Sequence, residues 1–326
     1  MKVLGIGNAL VDILVQLKDD SLLEKFGLPK GSMTLVDKDM SNYIHIETSG
    51  YRKRKASGGS AANTIHGLSH LSTDTAFIGK IGADDLGKFF KKDMKSNGIN
   101  TILYNSVSDT GRAVAMISPD SERTFATYLG AAVELSAEDL TLDIFTGYQF
   151  LYIEGYLVQN KELINKALRL SKKSGLKTCL DLASYNVVDA NRTFLHSIIN
   201  DYVDIVFANE DEARALTGQG PMEAITALSN LCEIAVVKVG SRGSLIKRGK
   251  EFIKIDALPA IVKDTTGAGD LYAAGFLYGM GNGLSLENSG KIGSLLASKV
   301  IECIGAKMEE VTWEMLRREI RQVKRE

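Results

Sequence analysis

An apolar run over residues 3–7 opens the chain, and "DILVQL" over 12–17 follows it with apolar and polar positions in alternation. An unbroken apolar run of that length suits a strand buried on both faces, and alternation suits a strand with one solvated face. Two strands in quick succession are therefore predicted. A basic polar stretch, "GYRKRKAS" over 50–57, reads as a loop. After it, "GGSAANTIHGLSHL" starts with glycines and puts Ala61, Ile65, Leu68 and Leu71 on one face at helical spacing. "TAFIGKIG" over 75–82 is a predicted strand, and "DDLGKFFKKDMKSNG" over 84–98 an amphipathic helix with an acidic start and a glycine stop.

Between 101 and 129 the character changes. "TILYNSV", "RAVAMIS" and "RTFATYL" read as short strands, the last two joined by a "PDSE" turn, and predict a β-rich excursion from the main fold. From residue 150 strands and helices alternate: "FLYIEG", a helix near 161–174, "KTCLDLA", a helix near 191–200, "VDIVFAN", helices near 211–216 and 222–231, then "IAVVKVG". That order implies a mainly parallel sheet between layers of helices, an α/β domain of three layers. "GSLIKRG" and "EFIKIDA" predict a late hairpin, followed by helices near 271–280 and 288–303 and a charged C-terminal helix.

The 326 residues suffice for one large α/β domain or two modest ones, and the balance of 39 basic against 40 acidic residues gives no global attraction for nucleic acid or an anionic membrane. Any anionic ligand must be met locally. Cys179, Cys232 and Cys303 are far apart and odd in number, which fits reduced core thiols rather than a disulfide framework or thiolate zinc site. The N-terminal apolar stretch is interrupted by Asn8 and Asp12, so a soluble cytoplasmic protein with small-molecule partners is expected.

Local anion chemistry has one conspicuous candidate, "DTTGAGD" over 264–270, which runs straight into the apolar helical pattern "LYAAGFLYGM". Glycines let the backbone turn tightly and gather N–H groups at a helix N-terminus, where orphan donors and the helix dipole both favour an anion. Asp270 in the first turn either takes a proton from an attacking hydroxyl beside a bound phosphate or simply charges the helix start. A dinucleotide-binding oxidoreductase, suggested by "GIGNAL" after the first strand, fails because Leu10 stands where the third glycine is needed and "DILVQL" continues as strand.

"SGGSAAN", "NEDE", "KVGSRGS" and "DTTGAGDLYAAG", in that order, resemble the ribokinase-like (PfkB) family of carbohydrate and nucleoside kinases over nearly the whole chain. The resemblance implies one ribokinase-like kinase domain spanning 1–326, with a small β-sheet lid formed by about 12–52 and 101–129 that closes over the acceptor. It implies Asp270 as the base that deprotonates a primary hydroxyl, and the amides of Gly267, Ala268 and Gly269 as the anion hole. Asn8, Asp12, Gly58, Gly59 and Asn63 match acceptor-binding positions; Lys238, Gly240, Gly243 and Thr265 match positions along ATP. Asn209 and Glu212 match a motif placed near Mg²⁺ through water, although the same pair also suits the mere start of a helix. Arg112 and Tyr128 are candidate lid contacts. Asp181, at a strand end, suits sugar binding, phosphate-side electrostatics or a solvated edge. Some members hold a monovalent cation such as K⁺ beside the anion hole, which here falls at Asp264, Thr266 and the turn 304–307. Both monomers and lid-mediated homodimers occur.

The resemblance thus implies an ATP-dependent kinase; a catalytically silent sugar or nucleoside binder shares the fold, but retention of Asp270 and its glycines favours activity. "GNALVDIL", "SERTFATYLGAA", "YIEGYLV" and "ECIGAK" look like the adenosine-kinase-like branch, whereas "DLASYN" departs from it. A nucleoside such as adenosine and a sugar such as ribose or fructose both stay open as acceptor.

Overall fold

The computed structural model describes residues 1–120 and 122–324. In chain order its strands are β1 (Lys2–Ile6), β2 (Leu10–Gln16), β3 (Met33–Leu35), β4 (Lys53–Gly58), β5 (Asp74–Gly82), β6 (Asn100–Ser106) and β7 (Gly111–Ile117). There follow β8 (Arg123–Tyr128), β9 (Phe150–Glu154), β10 (Lys177–Asp181), β11 (Ile205–Asn209), β12 (Ile234–Lys238), β13 (Ser244–Arg248) and β14 (Glu251–Ile255). The larger sheet runs β14-β13-β12-β11-β10-β9-β1-β5-β6 and the smaller β3-β8-β7-β2-β4. From β12 to β6 every pairing in the larger sheet is parallel, and the β13–β14 hairpin is appended antiparallel.

Alternation along the central strands divides the interior into two cores. Val3, Phe77 and Tyr152 face one side with the helices Ser60–His70, Ala268–Gly281 and Leu286–Val300. Leu4, Ile78 and Leu151 face the other, with Lys161–Ser174, Tyr185–Tyr202 and Pro221–Ser229. This is the three-layer arrangement expected from the alternation of strands and helices. Because β1 sits between β9 and β5, the order reverses there, and the carboxyl ends of the strands flank a crevice suited to ligands. Polar residues gather at those ends: Glu154 closes β9, Asp181 β10, Asn209 β11 and Lys238 β12.

Three local expectations are corrected. The "GYRKRKAS" stretch is largely strand β4, an edge that among the described residues pairs with β2 alone; its exposed Arg54 and Lys55 are the charges that protect an open edge from further pairing. "TILYNSV" belongs to β6, parallel to β5 at the edge of the larger sheet, so it does not extend the smaller one. The helix Asp85–Ser96 supplies the crossover that such a parallel pair requires. The helix expected near 191–200 begins at Tyr185 and is broken by non-helical Asn191, which is why its first half lacks the periodic signal. No helix among the described residues is long and apolar enough to cross a membrane.

The helices Ala268–Gly281 and Leu286–Val300 pack with almost no side chain between them. A Cβ at Gly275 would stand 2.6 Å from the Ile292 carbonyl oxygen and 2.8 Å from Gly293 Cα, backbone atoms that cannot swing aside. Gly275→Ala should therefore destabilise the protein by about 2 kcal/mol, an overpacking cost at the upper end of about 1–3 offset in part by alanine's roughly 1 kcal/mol helix preference. Chemical denaturation reads this directly, and an unchanged midpoint would mean the helices are free to part.

Candidate active site

The helix Ala268–Gly281 begins at Gly267, whose φ of 79° is left-handed. A Cβ there would lie 2.5 Å from Ala306 Cβ, so conformation and crowding both call for glycine. At Gly269 a Cβ would lie 2.9 Å from the Lys238 ammonium, which places a cation over the bare helix tip. The Ala268 N–H donates to the Thr265 carbonyl at 3.2 Å, while Gly267 and Gly269 have no acceptor among the described residues. A half-buried helix N-terminus with free amides and an ammonium beside it favours an anion.

Asp270 is held from across the molecule. Ser60 Oγ donates to its Oδ1 at 2.7 Å, Asn63 Nδ2 to its Oδ2 at 3.0 Å, and Thr64 Oγ1 to its carbonyl at 3.1 Å. All three belong to the helix Ser60–His70, which begins after Gly59 at φ 99°. The two glycine-led helix tips thus meet, and Asn63, expected on the acceptor, orients Asp270. Burial raises Asp270 to about 6; the bonds from Ser60 and Asn63 pull the other way, Asp181 pushes up and Lys238 down.

Lys238 Nζ bonds Asp181 Oδ2 at 2.9 Å. Burial alone would lower Lys238, but the carboxylates of Asp181 and Glu212 outweigh it and hold the group above its ordinary value. Asn209 and Glu212 form a capping box: the Asn209 N–H and Nδ2 donate to Glu212 at 2.8 and 2.7 Å, and the Glu212 N–H donates to Asn209 Oδ1 at 2.8 Å. Their polar atoms serve the helix start, and among the described residues no cluster of three or more ligating side chains could hold a metal. Burial, then the Asp181 charge, raises Glu212 to about 7.

On the other side of Asp270 lies a cavity of about 990 Å³ whose polar floor includes Asn8, Asp12, Gly59, Asn63, Glu154 and Asp270. Leu10, Met33, Leu35, Phe125, Val133 and Tyr156 contribute its largely apolar walls. Asp12 lies on β2 directly over Gly58, where any Cβ would overlap its carboxylate. Burial raises Asp12 to about 6, moderated by Lys307. Glu154, which sequence reasoning missed, accepts from Asn8 Nδ2 at 2.6 Å and from the Ala61 N–H at 3.1 Å, and burial raises it to about 7. Its signal was an acid at the end of the apolar strand "FLYIEG".

Other expected residues lie elsewhere. Gly240 (φ 59°) and Gly243 (φ 90°) shape the turn into β13 beside a second cleft of about 410 Å³, and Thr265 is exposed at the surface. Arg112 donates to Ser41 Oγ and Asn42 Oδ1, both at 2.6 Å, and lies 5.7 Å from the Tyr128 ring centroid, so this pair is spent within the small-sheet unit. Asp264 accepts from the Thr266 N–H at 2.9 Å and the Gly305 N–H at 2.5 Å and pairs with Arg123.

Residues 36–312 match the pfkB family of carbohydrate kinases. This chain belongs to that family. It is accordingly an ATP-dependent kinase of the sugar and nucleoside class. It is 37% identical to an adenosine kinase from Sinorhizobium meliloti, with a TM-score of 0.87 and coverage of 98% of this chain and 99% of the other. A probable sugar kinase from Rhizobium etli CFN 42 superposes with a TM-score of 0.88 at 35% identity, covering 98% of each chain. A 5-dehydro-2-deoxygluconokinase from Listeria monocytogenes is 34% identical, across 75% of this chain and 80% of that protein. The ribokinase-like α/β architecture with its second, smaller sheet is shared with these structural relatives.

The raised acids make stability depend on pH. Glu154 binds its proton more tightly folded than unfolded, so its stabilising contribution is complete below its unfolded value near 4.5 and is lost as pH rises through about 7. The ligand-free protein should lose unfolding free energy between pH 5 and pH 7.5, with at most about 1.4 kcal/mol per pH unit from this one group. In Glu154→Gln that slope should flatten; a slope equal to the wild type's in parallel denaturation series would contradict the assignment.

Proposed function

We propose that this kinase transfers the terminal phosphoryl group of ATP to the primary hydroxyl of a purine-type nucleoside, with Asp270 as general base. The observation that carries the reading is the Asp270 carboxylate, fixed by Ser60 and Asn63 on the floor of an apolar-walled cavity and one residue from the tip that Lys238 overhangs. The base sits between an acceptor-sized space and an anion cradle, which is the order that in-line transfer requires.

Asp270 takes the hydroxyl proton as the acceptor oxygen forms its bond to phosphorus, and the bond from that phosphorus to the bridging oxygen breaks, leaving its electron pair with ADP. The free amides of the helix tip and the Lys238 ammonium face the charge that develops, and the apolar walls exclude competing water. Asp12 and Asn8 meet ring hydroxyls, since one carboxylate can accept from two neighbouring hydroxyls. Bound Mg²⁺ would neutralise phosphate charge. Asn209 and Glu212, already bonded to each other, fit a contact with it through water rather than a direct one.

The walls favour a nucleoside over a bare sugar. A sugar would satisfy the floor and leave Met33, Leu35 and Phe125 wet, whereas a flat base covers them. Burying about 100 Å² of base at about 25 cal/mol/Å² contributes about 2.5 kcal/mol, close to 10²-fold in kcat/KM. An ADP-release assay with purine nucleosides, ribose and fructose should show that margin; preference for a free sugar would refute the nucleoside assignment, and no release with any acceptor would leave only a binder.

Asp270→Asn should retain folding and nucleotide binding while kcat falls by about 10²–10⁴-fold. In the wild type, kcat/KM should rise with pH through an apparent value near 6, as the carboxylates of Asp270 and Asp12 ionise together. A variant that keeps most of its turnover would remove Asp270 from the role of base.

A further inference from the structure

The resemblance to ribokinase-like kinases raises the question of a monovalent cation beside the amide turn, at Asp264 and Thr266. The residues present do not fit one. The Asp264 carboxylate is already engaged on three sides, by the Thr266 N–H at 2.9 Å, the Gly305 N–H at 2.5 Å and the Arg123 guanidinium. The Arg123 and Asp264 side chains are only 10% and 5% exposed, and a second arm of the guanidinium reaches the Lys263 carbonyl at 3.5 Å. A monovalent metal ion needs oxygens around it, and here a group made wholly of N–H donors takes both the carboxylate and the neighbouring carbonyl.

Arg123 is the first residue of β8 in the small sheet, opposite Ile117 of β7. Two residues further on, Phe125 lines the acceptor cavity. Asp264 stands at the start of the turn that ends in Asp270, and the Lys263 and Asp264 N–H groups are both bonded to the Ile301 carbonyl. One ion pair therefore joins the sheet that roofs the acceptor to the loop that shapes the phosphate cradle.

We propose that Arg123 is a built-in replacement for the monovalent cation, and that its pairing with Asp264 makes the shape of the amide turn depend on the seating of the small sheet. Arg123 acts here as a positioning residue. The enzyme consequently works without potassium, and loss of the guanidinium opens a site that an added cation can fill. The turnover part of this inference rests on the kinase reading above; the binding part does not.

The test uses the full chain in potassium chloride and in choline chloride at equal ionic strength. Wild type should show the same melting temperature and the same turnover in both salts. Arg123→Ala should lose about 10²-fold in kcat through misplacement of the turn, with a smaller change in acceptor KM. Potassium, or guanidinium at low millimolar concentration, should restore part of that loss and raise the variant's melting temperature, which a merely structural arginine would not produce. Arg123→Lys, which keeps the charge and loses the fork, should fall between the two and stay indifferent to potassium. Should Arg123→Ala fail to fold, the wild-type and Arg123→Lys arms decide. Potassium-specific stimulation or stabilisation of wild type overturns the proposal, as does an Arg123→Ala variant with wild-type turnover. Absence of turnover with every acceptor in both salts would instead count against the kinase reading, and the melting measurements would still decide the cation question.

Discussion

The pair of hydrogen bonds from Ser60 and Asn63 to the Asp270 carboxylate, at 2.7 and 3.0 Å, is the constraint on which the rest of the site depends. It joins residues more than 200 positions apart and forces two glycine-led helix starts to face each other at the point where the strand order reverses. Both helices must pack on the same face of the larger sheet for this to happen, and they do so in one continuous core with Phe77 and Tyr152. Gly67 shows how close that packing is: a Cβ there would stand 2.8 Å from Leu271 and 2.9 Å from Ala274.

That geometry carries an electrostatic cost. Asp12, Glu154, Asp181, Glu212 and Asp270 crowd the carboxyl edge of the sheet, with Lys238 and Lys307 as the nearby cations. Lys307 itself is pushed down to about 8 by burial, although Asp12, Asp93 and Asp270 all pull it upward. Burial makes Asp12, Glu154, Glu212 and Asp270 hold protons that exposed carboxylates would release, while Asp181 is paired with Lys238, which is how so many acids gather there. For the proposed role of Asp270 as base, the same displacement brings its carboxyl toward the pH at which a base is most useful. In the proposed mechanism two of the acids whose burial costs stability at neutral pH, Asp12 and Asp270, are also the ones that meet the acceptor.

Much of this was legible in the chain. The buried parallel strands and long helices carry full periodic patterns, and "DTTGAGD" announces a bare helix tip by composition alone. β4 and β6 were not placed correctly, because an edge strand has only one partner and its pattern need not follow the core. The Asn209–Glu212 spacing reads as a helix-start signature, and the family resemblance implies a motif near Mg²⁺; the structure shows the capping contacts. Glu154 could have been singled out as a lone acid at the end of a buried strand. The Arg123–Asp264 pair was beyond reach, since it joins the small sheet to a distant loop and no local pattern encodes their relative placement. The cavity walls were hidden for a similar reason: Met33 and Leu35 lie on a three-residue strand, too short to declare a period.

The central claim is that the helix tip receives the phosphoryl group in flight while Asp270 faces the attacking hydroxyl. A crystal structure with ADP, an aluminium fluoride mimic of the transferred group, magnesium and adenosine tests it most directly. The account predicts fluoride atoms within hydrogen-bonding distance of the Gly267 and Gly269 amides, and the primary hydroxyl between the mimic and the Asp270 carboxylate. A mimic bound away from that tip, or a hydroxyl turned away from Asp270, would contradict it.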